Sequence, residues 1–116
     1  MKYNPRTAKN IAQLCRALSV ENRVRIIGLL RDGPRCVGAI SARLGITQGA
    51  VSQHLRVLRE AGLVRPRKIG YFTHYALERT AIEGLAEKIK PYSRITKRKG
   101  ETPCAAARPN ARNRRT

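Results

Sequence analysis

The sequence predicts a mainly α fold with a small β component: five helices and one two-stranded β-hairpin. Three observations carry this expectation. Apolar residues recur at helical spacing in successive stretches up to Ile89, the link Gly45-Ile46 between two of these stretches is very short, and a β-rich run with Gly70 in its middle precedes the last stretch. At 116 residues the chain suffices for one compact domain with a modest core and is too short for two ordinary ones. Residues 1–94 are expected to form that domain. Residues 95–116 lack periodicity and are expected to be a disordered basic tail.

The first helix is expected over Thr7–Leu18, where Ile11, Leu14, Cys15 and Leu18 share a face and Pro5 lies harmlessly upstream. Cys15, on this apolar stripe, reads as a small core hydrophobe. Ser19 is the expected cap of a second helix, apolar over a wide arc through Val24, Ile26, Ile27, Leu29 and Leu30, which must be largely buried. Gly33-Pro34 stops it. A short third helix fits Val37–Leu44, with Gly45 as its left-handed terminator. Thr47 then caps a fourth helix, Gln48–Ala61, whose inward stripe is Val51, Leu55 and Leu58 and whose end is Gly62. Helix, glycine turn, helix is the pattern of a helix-turn-helix.

After Gly62, two short strands are expected from Leu63-Val64 to Leu77, joined at Ile69-Gly70, forming a wing beside the helix-turn-helix. Tyr71, Phe72 and Tyr75 on this run read as packing residues rather than stacking platforms. A fifth helix, Thr80–Ile89, carries Ile82, Leu85, Ala86 and Ile89 and ends at Pro91. The expected fold is therefore a winged helix-turn-helix.

The face of the fourth helix opposite its apolar stripe carries Gln48, Gly49, Ser52, Gln53 and Arg56, preceded by Thr47. Gln can pair bidentately with the adenine edge, Ser with bases or phosphate, and Arg with guanine or phosphate; Gly49 allows close backbone approach. An ordinary solvated face would carry similar residues. The context favours DNA, because the hairpin that follows bears Arg65, Arg67 and Lys68, which suit a phosphate backbone or the minor groove. The same cations also protect an edge strand from aggregation, and both roles can coexist.

Composition agrees. Lys and Arg number 25 against 7 acidic residues, a net charge of +18 that favours a polyanionic partner. Lys97–Thr116 contributes +6 of this, so the expected domain is strongly basic by itself. Aromatic residues are few and Trp is absent, which disfavours a single-strand binder built on stacking platforms. No segment approaches the roughly 20 apolar residues that span a bilayer. The N-terminus lacks a secretion-type apolar run and the three cysteines are odd in number and scattered, so the expected compartment is the cytoplasm. His54 and His74 lack the company of a recognisable metal site. No glycine-rich phosphate loop, paired acidic motif or nucleophile beside a base is present, so no enzyme is expected.

The stretch RCVGAISARLGITQGAVSQHLRVLREAGLVRPRKIGYFTHYAL resembles the DNA-binding core of the ArsR/SmtB family of winged-helix repressors, most clearly through VSQHLRVLREAGLV, and SVENRVRIIGLL resembles the family's second helix. The likeness covers approximately Ala8–Ile89. It implies that Gln48, Ser52 and Gln53 face the major groove, that Arg67 and Lys68 belong to the wing, and that a homodimer forms through the first and last helices, with Ile11, Leu14, Leu18, Leu85 and Ile89. A dimer also suits the physics, since one recognition helix reads few base pairs. The family implies a metal or metalloid inducer, but the Cys-Val-Cys run of one such site reads Cys36-Val37-Gly38 here, with Ser41 where another cysteine can occur. The last helix offers Glu78, Glu83 and Glu87 without histidine, so no metal site is complete. Cys36, at a helix start, and Cys104 form a conceivable thiol sensor pair. The expected function is a homodimeric repressor that leaves its double-stranded operator when an unidentified inducer binds. The alternative is a non-specific, nucleoid-like DNA-coating protein.

Overall fold

The computed structural model describes residues 4–94. The expected tail at 95–116, with Cys104, lies outside the described residues.

Helix α1 (Pro5–Ala17) begins two residues earlier than its apolar spacing suggests, because the Asn4 side chain accepts the amide of Arg6 and Pro5 tolerates the first turn. Its inward stripe is Leu14, Ala17 and Leu18; Cys15 falls outside this arc and is exposed, contrary to the expectation of a core cysteine. Ser19 does not cap the next helix either. Its hydroxyl donates to the Arg16 carbonyl at 2.7 Å, finishing α1, and α2 (Glu21–Leu30) starts from Val20 with no side-chain cap. Within α2, Ile26 and Leu30 are buried, while Val24 is exposed despite the broad apolar arc.

A two-residue strand β1 (Arg35–Cys36) leads into α3 (Val37–Leu44), and α4 follows over Gln48–Glu60. Gly45 lies at φ +70°, a left-handed conformation that glycine adopts without the strain a Cβ would bring, and its amide donates to the Ser41 carbonyl. The Ser41 hydroxyl reaches over to the Ile46 carbonyl, pinning the turn from the other side.

The far end of α4 closes with two bonds, Gly62 N–H to the Arg59 carbonyl and Leu63 N–H to the Leu58 carbonyl, with Gly62 at φ +78°. This six-to-one and five-to-two pairing fixes the direction in which the chain leaves the helix. Strand β2 (Val64–Ile69) departs in that direction and turns through Gly70-Tyr71 into β3 (Phe72–Leu77). The sheet is antiparallel with order β1-β3-β2, so it has three strands where two were expected. The added strand pairs Arg35 with Tyr75 and Cys36 with His74. Helix α5 (Arg79–Ile89) and a 3₁₀ turn at Lys90–Ser93 complete the described chain.

One core joins these elements. Ile26, Leu30, Ile40, Val51, Leu55, Leu58, Leu63 and Val64 are its most deeply buried members, contributed by α2, α3, α4 and the root of the hairpin. The stripe of α4 is thus held against α2 and α3, leaving its other face to solvent. Burial of side chains of this size stabilises by about 1.5–3 kcal/mol each before conformational entropy is subtracted.

Candidate nucleic-acid interface

The interface is built around the exposed side of α4. Thr47 Oγ1 accepts the Ala50 amide at 3.1 Å, so the helix starts where the sequence places it, with its amide-rich end open to an anion. Gln48, Gly49, Ser52, Gln53 and Arg56 are all exposed, on the flank opposite buried Val51, Leu55 and Leu58. The Gln48 amide folds back towards α3 and lies beside Gly38, where a side chain larger than hydrogen would touch it. Ser52 and Gln53 engage no protein partner among the described residues.

Two of the cations read from the sequence are already engaged. Arg56 Nε bonds Glu60 at 3.1 Å, an exposed pair one helical turn apart that costs little to break. Arg65 pairs with Glu78, the residue preceding α5, and anchors the base of the hairpin. Arg67 and Lys68 make no ion pair among the described residues and are exposed. In the β2–β3 register, Arg65, Arg67 and Ile69 stand opposite Ala76, His74 and Phe72 on one face of the hairpin; Lys68 stands opposite Thr73 on the other.

Only the root of the hairpin touches the core. Val64 is buried, but Arg65–Ile69 are exposed without interruption, and Tyr75 and Leu77 pack inward while Tyr71 and Phe72 do not. The expectation that Tyr71 and Phe72 serve as packing residues is therefore wrong: Tyr71 is 99% exposed and Phe72 67%. The physical reason is that the hairpin runs past the end of the core, so alternation continues with nothing beneath it.

A second surface lies at the termini. Leu14 and Leu18 are half-buried against the protomer's own core, and Leu85 is buried. Ile11 and Ile89 line an apolar depression with Ala8, Ala12 and Tyr92, of which Tyr92 was not anticipated. Ile89 and Tyr92 are exposed large apolar groups.

His54 is not a metal ligand candidate by company; its Nδ1 accepts from Arg23 Nε. His74 Nδ1 is buried with no partner, opposite Cys36 and Arg67 on the central strand. Among the described residues no group of three or more His, Cys, Asp or Glu side chains could hold a metal ion. Among the described residues no second thiolate stands beside Cys36 in the run Cys36-Val37-Gly38, and the Ser41 hydroxyl is committed to the turn. The described residues do not complete the donor set of the metal or metalloid centre that the resemblance implies.

A glycine-turned helix pair with an exposed polar recognition face and a basic hairpin at its side defines a winged helix-turn-helix DNA-binding protein. The sequence profile of the family described as bacterial regulatory protein, arsR family, matches residues 20–65. The transcriptional activator HlyU of Vibrio cholerae is 39% identical over 74 residues, spanning 64% of this chain and 68% of that one. An ArsR-like transcriptional regulator from Rhodococcus superposes with a TM-score of 0.68 at 26% identity, over 74% of this chain and 81% of that one. The homodimeric winged helix-turn-helix domain of a possible ArsR-family regulator from Mycobacterium bovis does so at 0.62 and 25% identity, over 83% and 94%. The chain belongs to the arsR family and is a DNA-binding transcriptional regulator. No helix among the described residues is long and apolar enough to cross a membrane.

Proposed function

We propose that the protein is a homodimeric, non-enzymatic repressor acting in the cytoplasm, which occupies a specific double-stranded operator and occludes the promoter. The observation that carries this reading is the exposed face of α4, where Ser52 and Gln53 stand free, together with the exposed cations Arg67 and Lys68 on the hairpin that follows. Gln53, Ser52, Gln48 and Gly49 meet base edges in the major groove, with Thr47 and Arg56 at its phosphate margins. Arg67 and Lys68 lie on the flanking backbone, with Arg65 behind them. Two protomers join through Ile11, Ile89 and Tyr92, which line an apolar depression with Ala8 and Ala12, together with Leu14, Leu18 and Leu85 from the same two ends of the chain. A dyad between the copies places two recognition helices on half-sites about 34–36 Å apart. Residues 1–94 suffice for this activity. The inducer that releases the operator is unidentified: the metal or metalloid motif around Cys36 is incomplete, and of the Cys36–Cys104 thiol pair Cys104 lies outside the described residues.

Selection of duplexes from a random pool tests the reading. A palindromic consensus with half-sites one helical turn apart is expected, and a reporter driven through that site should fall when the protein is expressed. A pool that emerges unenriched would leave the non-specific, DNA-coating alternative, which the net charge of +18 favours. A reporter that rises would identify an activator instead.

A further inference from the structure

A cavity of about 660 Å³ lies among α1, α2, α4 and α5, lined on α1 by Asn10, Gln13 and Ala17. At about 100° per residue these three occupy the side of α1 opposite Ala8, Ile11 and Ala12, which line the apolar depression. A second subunit seated on the depression thus approaches α1 from its other side. The volume falls within the range of small-molecule sites, roughly 300–1,000 Å³.

The charges of this cavity do not balance. Arg16, Arg23 and Lys88 line it against one carboxylate, Glu60, which already pairs with Arg56 at 3.1 Å. Arg23 is half-buried, and its acceptors among the described residues are all uncharged: Nε donates to His54 Nδ1, and Nη1 to the Arg16 and Ala17 carbonyls. Its Nη2 group donates to no described residue. A guanidinium drawn partly out of water with no carboxylate beside it and one N–H pair unused calls for an anion. The lining also includes apolar groups, Leu14 of α1 with Val57 and Ala61 at the end of α4.

We infer that this cavity is the effector site of the proposed repressor, and that its ligand is a small organic carboxylate with an apolar body. The consequence for the operator rests on the repressor reading; the binding does not. The carboxylate meets the planar fork of Arg23, which suits it better than an ammonium would, and Arg16 and Lys88 add attraction. The hydrocarbon part covers Leu14, Val57 and Ala61. Arg23 Nε holds His54, the residue after Gln53 on α4, so a carboxylate that takes the guanidinium removes a tie between α2 and the recognition helix. Ligand and operator then favour different arrangements of one side chain, and linkage requires each to weaken the other by the same factor.

The full-length protein is titrated calorimetrically with octanoate, phenylacetate and naphthalene-2-carboxylate, with the primary amide of each, and with acetate and inorganic phosphate. At least one of the larger carboxylates should bind saturably, and its amide about tenfold more weakly. Arg23→Gln should weaken that binding about tenfold, and so should Arg16→Gln combined with Lys88→Gln, which leaves the Arg23 contacts in place. Arg25→Gln, the same charge change on α2 but outside the cavity, should not. Circular dichroism confirms that each variant is folded. The bound carboxylate should lower affinity for the pool-selected operator about tenfold, read by anisotropy of labelled DNA, and should do so in wild type but not in Arg23→Gln. Absence of saturable binding, or equal weakening by Arg25→Gln, would overturn the site. Acetate or phosphate bound as tightly as the larger acids would overturn the apolar body of the ligand. Saturable binding with unchanged operator affinity would overturn the effector role and leave the repressor reading intact. A chain that selects no operator yet binds the carboxylate through Arg23 would retain the site and overturn the repressor reading.

Discussion

Arg23 of α2 donates from Nε to Nδ1 of His54 on α4 at 3.3 Å, and the same guanidinium reaches the Arg16 and Ala17 carbonyls at the end of α1 at 3.4 Å. One side chain thus connects the helix that bears part of the open apolar depression to the helix that bears the recognition face. Arg23→Met retains the aliphatic stem but leaves the part-buried His54 imidazole nitrogen and the Ala17 carbonyl without this donor, while the Arg16 carbonyl keeps the Ser19 hydroxyl. A loss of about 1–2 kcal/mol is expected, read as a lower denaturant midpoint with an unchanged slope. An unaltered midpoint would show that the contact contributes nothing.

The turn between α3 and α4 depends on backbone conformation rather than on space. A Cβ at Gly45 would meet no atom within 4 Å, yet φ is +70° there. Gly45→Ala should therefore cost about 1–2 kcal/mol through strain alone, and Gly45→Asn less, because Asn adopts this region more readily. Thermal unfolding of the two variants checks the order; equal melting temperatures for Ala and Asn would contradict it.

Leu55 is 1% exposed at the centre of the α4 stripe. Leu55→Ala should destabilise by about 2–5 kcal/mol by leaving a cavity beneath the recognition helix. Chemical denaturation measures this directly, and a cost under 1 kcal/mol would mean that α4 is not held by its stripe.

Ile89 is 41% exposed and peripheral to the core of one subunit, so Ile89→Glu should leave the protomer folded while placing a carboxylate in the apolar depression with Ile11 and Tyr92. Sedimentation should find a monomer with native circular dichroism and weakened operator binding. A dimer of unchanged affinity would place the interface elsewhere.

Much of this architecture is legible in the sequence, and the exceptions have identifiable causes. The third and fourth helices follow from a stripe, a threonine cap and Gly45, all local signals; the third has its expected range, and the fourth ends at Glu60, one residue before the expected Ala61. Strand β1 is two residues long, too short for any periodicity, and exists because β3 offers a free edge to Arg35 and Cys36. Ser19 has the chemistry for either helix end, and only the position of the Arg16 carbonyl decides between them. The pairing of Arg65 with Glu78 joins residues 13 apart, so the sequence shows two charges but not that one is already used. For Tyr71 and Phe72, alternation reports which face a residue occupies and says nothing about whether the core extends beneath it. Leu14, Leu18 and Leu85 illustrate the same limit at the termini: helical spacing identifies an apolar face without saying whether one's own subunit or another covers it.

Within the interface, the two kinds of contact separate on substitution. Gln53→Ala should lose about 1–3 kcal/mol of discrimination at one base position with little change on unrelated DNA. Lys68→Gln should weaken every duplex alike and lower the slope of log affinity against log salt by about one. Uniform weakening by Gln53→Ala would show that α4 contacts phosphates and not bases.

The central claim, that this basic chain reads sequence and does not merely coat DNA, is tested most directly by the affinity of the wild-type protein for its selected operator and for a scrambled duplex across one salt series. Specific recognition predicts roughly parallel slopes separated by a gap of about 10³-fold or more that persists at physiological salt. Two coincident lines, steep and without a gap, would contradict it.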